Sequence, residues 1–302
     1  MSTLTISITL RYVNETLLAR IPATEVFPVV EDGNLPAKAT AFEAFPIRAT
    51  VFREGHDCYA AEAVLLRPGG SIHSRALMRD IAPGLDRYEA WVMPDAVGQW
   101  SFRIDTWSDP YATWRHDASV KIGAGVDIEL MLEEGALLME RAARGEALNN
   151  PSQTQPTRSA IDTLLDAAKG LRDASQTPQR RLSAGLSAPV RAVFRQFPLR
   201  DLYGSTRTYP LFVARNRALA GAWYEIFLRS HGAFQDSKGR WVSGTLRTAV
   251  EDLPRIASMG FNVVYLTPIH PIGLTNRKGK NNALIAHKGE PGSPYGIGSA
   301  EG

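Results

Sequence analysis

Residues 245–273 read TLRTAVEDLPRIASMGFNVVYLTPIHPIG. Leu246, Val250, Leu253 and Ile256 recur at spacings of four, three and three, which puts them on one face of a helix. Pro254 falls inside that pattern and predicts a kink or a division into two pieces. Gly260 stands where a helix ends with a left-handed residue. FNVVYLTP (261–268) then reads as a short, nearly all-apolar strand, the pattern of a parallel strand buried on both faces. AWYEIFL (222–228) has the same character, and the polar stretch HGAFQDSKGRWVSG (231–244) links it to the helix. Strand, helix and strand make one βαβ unit, with parallel strands and a right-handed crossover.

Upstream of this unit the chain changes character twice. From about 10 to 122 it reads as strands. Ile47, Ala49 and Val51 alternate with Arg48, Thr50 and Phe52. CYAAEAVLL follows an EGHD turn, and Tyr88, Ala90 and Val92 alternate with Arg87, Glu89 and Trp91. After a DAVG turn, Trp100, Phe102 and Ile104 alternate with Ser101, Arg103 and Asp105. Short period-2 segments split by Pro, Gly and Asp turns predict an antiparallel, immunoglobulin-like β-sandwich over 1–124. SDPYATWRHDA (108–118) reads as a strand-edge corner packed by Trp107 and Trp114.

Residues 125–200 read as a helical insert, a hairpin or small bundle. VDIELMLEEGALLMERAARG (126–145) carries helix-favouring residues and ends on Gly145. A loop at 149–157 precedes IDTLLDAAKGLRDA, capped by Ser159 or a neighbour, and APVRAVFRQF starts with Pro189 in its first turn. Residues 201–220 are expected to return to the sandwich as a linker, and 221–302 to begin a second domain.

Composition narrows the function classes. Charge is balanced at 34 basic against 31 acidic residues, which gives no support for nucleic-acid binding. The single cysteine, Cys58, excludes an internal disulfide and a thiolate metal site. MSTLTISITLRYVNE lacks the basic start and unbroken apolar core of a secretory signal. No run reaches the roughly 18–20 apolar residues of a membrane span, so a soluble, cytoplasmic protein is expected.

The chemistry-bearing stretch is LTPIHPIGLTNRKGKNN (266–282). In parallel α/β folds ligands bind where strands end at their carboxyl termini, and this segment leaves by such an end. Lysine and arginine bind anions, and asparagine amides bind sugar hydroxyls or phosphate oxygens; a solvated surface loop is the plain alternative. Phosphate-loop patterns fail: Gly273 and Gly279 enclose five residues rather than four, and Asn281 stands where a Ser or Thr would follow the lysine. The glycines of GSPYGIG (292–298) stand in the wrong order for a dinucleotide fingerprint. The histidines form no HxH, HxxxH or HExxH pattern, so neither a metal site nor a cofactor is expected. His270, between prolines, is read as holding backbone at least as readily as a ligand. Glu133–Glu134 and Glu251–Asp252 are read as solvated helix faces.

AWYEIFLRS, TLRTAVEDLPRIASMGFNVVYLTPIHPIG, NRKGKNN and GSPYGIGSAEG together resemble the start of the catalytic barrel of the α-1,4-glucan:maltose-1-phosphate maltosyltransferases, a group within the α-amylase family. WSDPYATWRHDASVKIGAGVDIELMLEEGA (107–136) is similar to their sandwich-to-insert junction. The resemblance implies a retaining transfer of maltosyl from maltose 1-phosphate to the non-reducing end of an α-1,4-glucan with release of phosphate, through a glycosyl-enzyme intermediate. It implies that 221–302 is the first portion of a (β/α)8 barrel, and that the nucleophilic Asp and acid/base Glu lie on later strands. The 302 residues alone are therefore expected to be an inactive piece of that enzyme. It matches Lys278 to a lysine that contacts the phosphate donor, with Lys280 and Asn282 as neighbours in the same loop. It also implies a homodimer through the N-terminal region, with the helical insert as a candidate interface. The alternative class is a carbohydrate-binding or dimerisation module without catalysis, marked by aromatic platforms exposed on one sheet face.

Overall fold

The computed structural model describes residues 19–150, 153–290 and 292–300; the reading of residues 1–15 lies outside them, as do positions 151–152 of the predicted loop. The chain divides into two compact units, Met1–Arg215 and Asn216–Gly302.

In the first unit the early strands are β1 (Ala23–Phe27), β2 (Ala37–Thr40), β3 (Phe45–Val51) and β4 (Tyr59–Leu66). They are followed by β5 (Ile72–Leu77), β6 (Arg79–Ala82), β7 (Arg87–Val92) and β8 (Gly98–Ser108). Five helices come next: α1 (Pro110–Gly123), α2 (Ile128–Ala143), α3 (Arg158–Arg172), α4 (Pro178–Gly185) and α5 (Ala188–Gln196). The chain then re-enters the sheets as β9 (Asp201–Ser205) and β10 (Tyr209–Ala214).

One sheet has the order β1-β3-β7-β6; the other runs β2-β10-β8-β4-β5, with β9 beside β8. Their facing sides share one core: Ile47, Ala49 and Val51 of β3 and Ala90 and Val92 of β7 meet Ala61, Ala63, Leu65, Phe102 and Ile104 of the larger sheet. The period-2 pattern places these side chains inward, because successive strand residues point to opposite faces. The expectation of wholly antiparallel pairing is corrected at one place. β10 runs parallel to β2, with Leu211 opposite Ala37. The long excursion between them makes this possible, since a parallel neighbour requires a crossover rather than a tight turn.

The helical part also starts earlier than expected, at Pro110 rather than near 125. Asp109 caps α1 by accepting from the Ala112 amide, and Pro110 fills the first turn, where its missing N–H costs nothing. The aromatics of SDPYATWRHDA therefore pack as a helix face. Tyr111 stacks on Phe194 of α5 at 3.9 Å, and the Trp114 indole donates to the Met131 carbonyl at 2.8 Å. Gly135 and Gly185 leave the room: a Cβ at Gly185 would lie 2.6 Å from the Trp114 ring, and one at Gly135 would fall inside its contact distance. Thr157, two residues before Ser159, caps α3, and Ser187 caps α5 with Pro189 in its first turn.

Glu62 and Asp105 lie on the β4–β8 pair and are both buried. Arg200 grips Glu62 with two hydrogen bonds, of 2.6 and 2.9 Å, and lies 4.4 Å from the Trp107 ring. Arg75 and Arg103 pair with Asp105. Buried carboxylates require such partners, and the node fixes where the chain leaves α5 for β9.

The second unit holds β11 (Trp223–Ile226), the short hairpin β12 (Phe234–Gln235) and β13 (Trp241–Val242), then α6 (Leu246–Val250), α7 (Leu253–Ser258) and β14 (Val263–Leu266). β11 and β14 are parallel, with Trp223 opposite Val263. The helix is divided just before Pro254, and Gly260 follows it at φ +90°. Ile226, Ala249 and Ile256 form its buried centre. The strands are not buried on both faces as their apolar runs predict: Trp223 is 61% and Tyr265 40% exposed.

Candidate functional site

β11 and β14 end side by side, and the segment after β14 forms a closed loop. The Thr267 amide still donates to the Ile226 carbonyl at 3.3 Å. Beyond it the loop base is zipped: Gly273 N donates to Ile297 O at 2.7 Å and Ser299 N to Pro271 O at 3.1 Å. His270 contributes to this base, its Nε2 lying 2.9 Å from the Gly296 carbonyl, which is the backbone-holding role.

The residues of NRKGKNN divide into those that build the loop and those that it presents. Arg277 is a builder. Its guanidinium donates to the carbonyls of Gly273 at 2.9 Å and Glu290 at 3.4 Å, and to that of Ile272. Glu290 in turn accepts from the amides of His287 at 2.9 Å and Lys280 at 3.4 Å. These bonds, His287 first, hold its carboxyl below the usual glutamate range. Gly279 N donates to Ala283 O at 2.8 Å and closes a tight turn containing Lys280–Asn282. Asn276, Asn281 and Asn282 take φ of 54°, 52° and 64°. Asparagine tolerates this left-handed region better than other side chains, so the amide-rich composition has a backbone cause as well as a chemical one.

Lys278 is half-buried, whereas Lys280 and Asn282 are exposed. Among the described residues neither lysine enters an ion pair. The turn thus gathers the three expected residues on one short segment, with two ammonium groups and one amide presented as donors. The sequence reading missed Tyr295, whose hydroxyl donates to Glu225 of β11 at 3.1 Å. That bond, with burial second, pushes its pKa up to about 12, so it remains a neutral donor near the strand end. Among the described residues no three His, Cys, Asp or Glu side chains gather as a metal site, and no helix is long and apolar enough to cross a membrane.

A separate cleft of about 510 Å³ lies in the first unit, where Arg53 and Asp57 meet Trp114, Leu138, Arg141 and Asp201. Two arginines of its wall are held by acidic neighbours: Arg53 binds Asp57 and Ser108, each at 2.5 Å, and Arg141 binds Asp201 at 2.8 Å. No sequence motif marks it, because its walls come from five separate stretches.

Residues 19–215 match the family model described as α-1,4-glucan:maltose-1-phosphate maltosyltransferase, domain N/S. The chain belongs to that family. Curated maltosyltransferases of this name are similar over nearly all of it. The protein from Arcanobacterium haemolyticum is 48% identical across 93% of this chain. One from Streptomyces coelicolor is 50% identical across 94%, and one from Mycolicibacterium smegmatis is 40% identical across 94%. The chain spans 40%, 40% and 43% of the length of these three maltosyltransferase relatives.

Proposed function

We propose that this chain supplies the N-terminal part and the phosphate-donor loop of a retaining maltosyltransferase that extends α-1,4-glucan from maltose 1-phosphate. The observation that carries this reading is the turn at 278–282, which holds two lysines whose ammonium groups enter no ion pair among the described residues, in the loop that follows the second of two parallel strands. Lys278 contacts the phosphate of the donor, while Lys280 and Asn282 add charge and an amide donor in the same turn. A phosphate leaving group gains negative charge as the glycosidic bond breaks, so fixed ammonium groups stabilise departure as well as binding. Tyr295 and Arg277 position the loop and do no chemistry.

The exposed faces of Trp223 and Tyr265 support reading 221–302 as the first part of a (β/α)8 barrel, whose further strands cover such faces. The two sheets sharing one core over 23–214 support an immunoglobulin-like sandwich with a helical insert. The insert's exposed Val120, Val126, Leu130 and Leu137 support a homodimer formed through it.

The test is phosphate release from maltose 1-phosphate with an α-glucan acceptor, using the protein that carries this chain. Lys278→Ala is expected to raise the KM for the donor by roughly tenfold or more, as loss of a charge-assisted contact does. An unchanged KM and kcat would remove Lys278 from the donor site.

A further inference from the structure

Glu225 stands one residue before the end of β11. It points away from the helices, since Tyr224 and Ile226 on either side of it pack with Ala249 and Ile256. Its partner in the parallel register is Tyr265 of β14. Tyr265 packs at a tilt on Trp223, with ring centres 6.3 Å apart, so Glu225 shares the open face of the strand pair with two aromatic rings. Among the described residues Glu225 enters no ion pair. A phenol holds it instead: the Tyr295 hydroxyl donates to Glu225 Oε1 at 3.1 Å, across 70 positions of sequence. Tyr265 adds to the hold on the Tyr295 proton.

Tyr295 belongs to GSPYGIG (292–298), whose glycines fit no dinucleotide fingerprint. In the fold this stretch is the return leg of the donor loop, and two of its glycines mark where it presses on the outgoing leg. A Cβ on Gly292 would lie 2.8 Å from the Arg277 side chain, and one on Gly298 would lie 2.7 Å from the His270 ring. Arg277 also donates to the carbonyls of Gly273 and Glu290, one on each leg, and it directly precedes Lys278. A continuous set of contacts therefore runs from β11 through Glu225, Tyr295 and the return leg to Arg277 and Lys278. The backbone bonds at 271–299 fix the root of the loop, and the Tyr295 bond ties its return leg to the first strand.

We infer that Glu225 is a positioning residue for donor binding, which through Tyr295 fixes the return leg of the loop, and with it Lys278, against the end of β11. The inference rests on the proposed function, since it takes Lys278 as the contact to the donor phosphate. A lysine that grips phosphate gives up the freedom of a long side chain, and a loop held beforehand adds little to that cost. The tie starts from a strand, and groups carried on strands are placed more accurately than groups carried on loops. An ionised acceptor also bonds a phenol roughly twice as strongly as a neutral one. Direct contact between Glu225 and the phosphate is disfavoured by charge, because a carboxylate repels the anion that the lysines attract.

The test follows phosphate release from maltose 1-phosphate at saturating α-glucan, in the protein that carries this chain. Glu225→Ala and Tyr295→Phe should each raise the donor KM several-fold, less than the roughly tenfold of Lys278→Ala, with kcat moving less. Both changes break one bond, so the double variant should be no worse than the more impaired single one. Glu225 acts through Lys278, so Glu225→Ala should cost roughly twofold at most in a Lys278→Ala background. Glu225→Gln keeps an acceptor oxygen and should recover most of the loss, which guards against a folding artefact. Effects that multiply independently in either pair overturn the inference, as does an unchanged donor KM in Glu225→Ala. A Glu225→Gln variant that loses kcat at constant KM also overturns it, because Glu225 is then a catalytic residue.

A second readout needs no turnover. Ring-carbon NMR of tyrosine should give Tyr295 a midpoint of about 12 in wild type and one nearer the ordinary value of about 10 in Glu225→Gln. A midpoint that does not move overturns the inference. Absent phosphate release with the expected midpoint shift defeats the proposed function and leaves the tie between strand and loop standing. Normal wild-type turnover with independent effects defeats only the role given to Glu225.

Discussion

Residues 19–215 bury both of their layers, whereas among the described residues of 216–300 the buried apolar side chains are Ile226, Ala249, Ile256 and Ile272, and Trp223, Trp241, Leu284, Ile285 and Ile297 stand in the open. The local signals are comparably strong in both. Period-2 strands mark one, and an apolar strand–helix–strand unit marks the other. What differs is how many elements are available to cover each apolar face. Two sheets close on each other and five helices share one core with Trp114, while within the described residues β11 and β14 have one helical layer packed on them. The comparison teaches that a readable element is not yet a stable one, because stability follows the face that gets covered.

The largest effect that sharpens this contrast comes from the first unit's core. Phe102→Ala is expected to cost about 3–5 kcal/mol, since Phe102 is wholly buried between the sheets. Native-state hydrogen exchange should show that loss in the amides of β4 and β8 and leave β11 and β14 unchanged. The same experiment on wild type should show β11 and β14 exchanging faster than β8. Equal protection would break the comparison. Next, Gly135→Ala should lower stability by about 1–3 kcal/mol through overpacking, because its Cβ would meet the Trp114 ring. Chemical denaturation followed by near-ultraviolet dichroism reads it, and an unaltered midpoint would mean the ring can move aside.

Lys278→Ala is the converse case, expected to leave stability within about 0.5 kcal/mol of wild type. Its proposed effect is on donor binding, so a thermal shift much larger than that would make it a structural residue. The smallest effect is electrostatic. Hydrogen bonds from Arg255 first, with His231 after the opposing burial, hold Asp252 at about 2. A carboxyl lowered in the fold stabilises it above the unfolded value of about 3.9 and loses that contribution as pH falls through the folded value. Arg255→Ala should therefore move the Asp252 midpoint upward in a carboxyl-carbon NMR titration, and make the second unit lose structure at higher pH than wild type. Asp105, in the other unit, is also lowered: burial raises it, and the bonds from Arg103 and Ser205 outweigh that. Both units therefore weaken in acid, and a midpoint for Asp252 near 4 in wild type would separate them.

Much of this molecule is legible from residue order. The alternation at 47–51, 88–92 and 100–104 assigns inner and outer faces, and it already places Trp91 with Arg87 and Glu89 away from the core. Pro254 and Gly260 mark where the crossover helix divides and ends. The basic turn after β14 is likewise visible as composition. The start of α1 was hidden by the aromatic density of residues 107–114, although Asp109 followed by Pro110 is itself a helix-start signal. The loop-building role of Arg277 could not be told from the presented role of Lys278, because both are basic residues in one run and only their partners differ.

Sequence alone determined the order of layers, the donor-rich turn and the family resemblance, since each depends on side chains near one another in the chain. Only the tertiary structure decided which carboxylates are buried and paired, as with Glu62 and Arg200, 138 positions apart. It also decided that β10 returns parallel to β2, and that Trp91, Glu89, Arg48 and Phe27 form one row across three strands. The physical reason is register. Hydrogen bonding between strands sets which distant residues become neighbours, and no periodicity within a single strand carries that information.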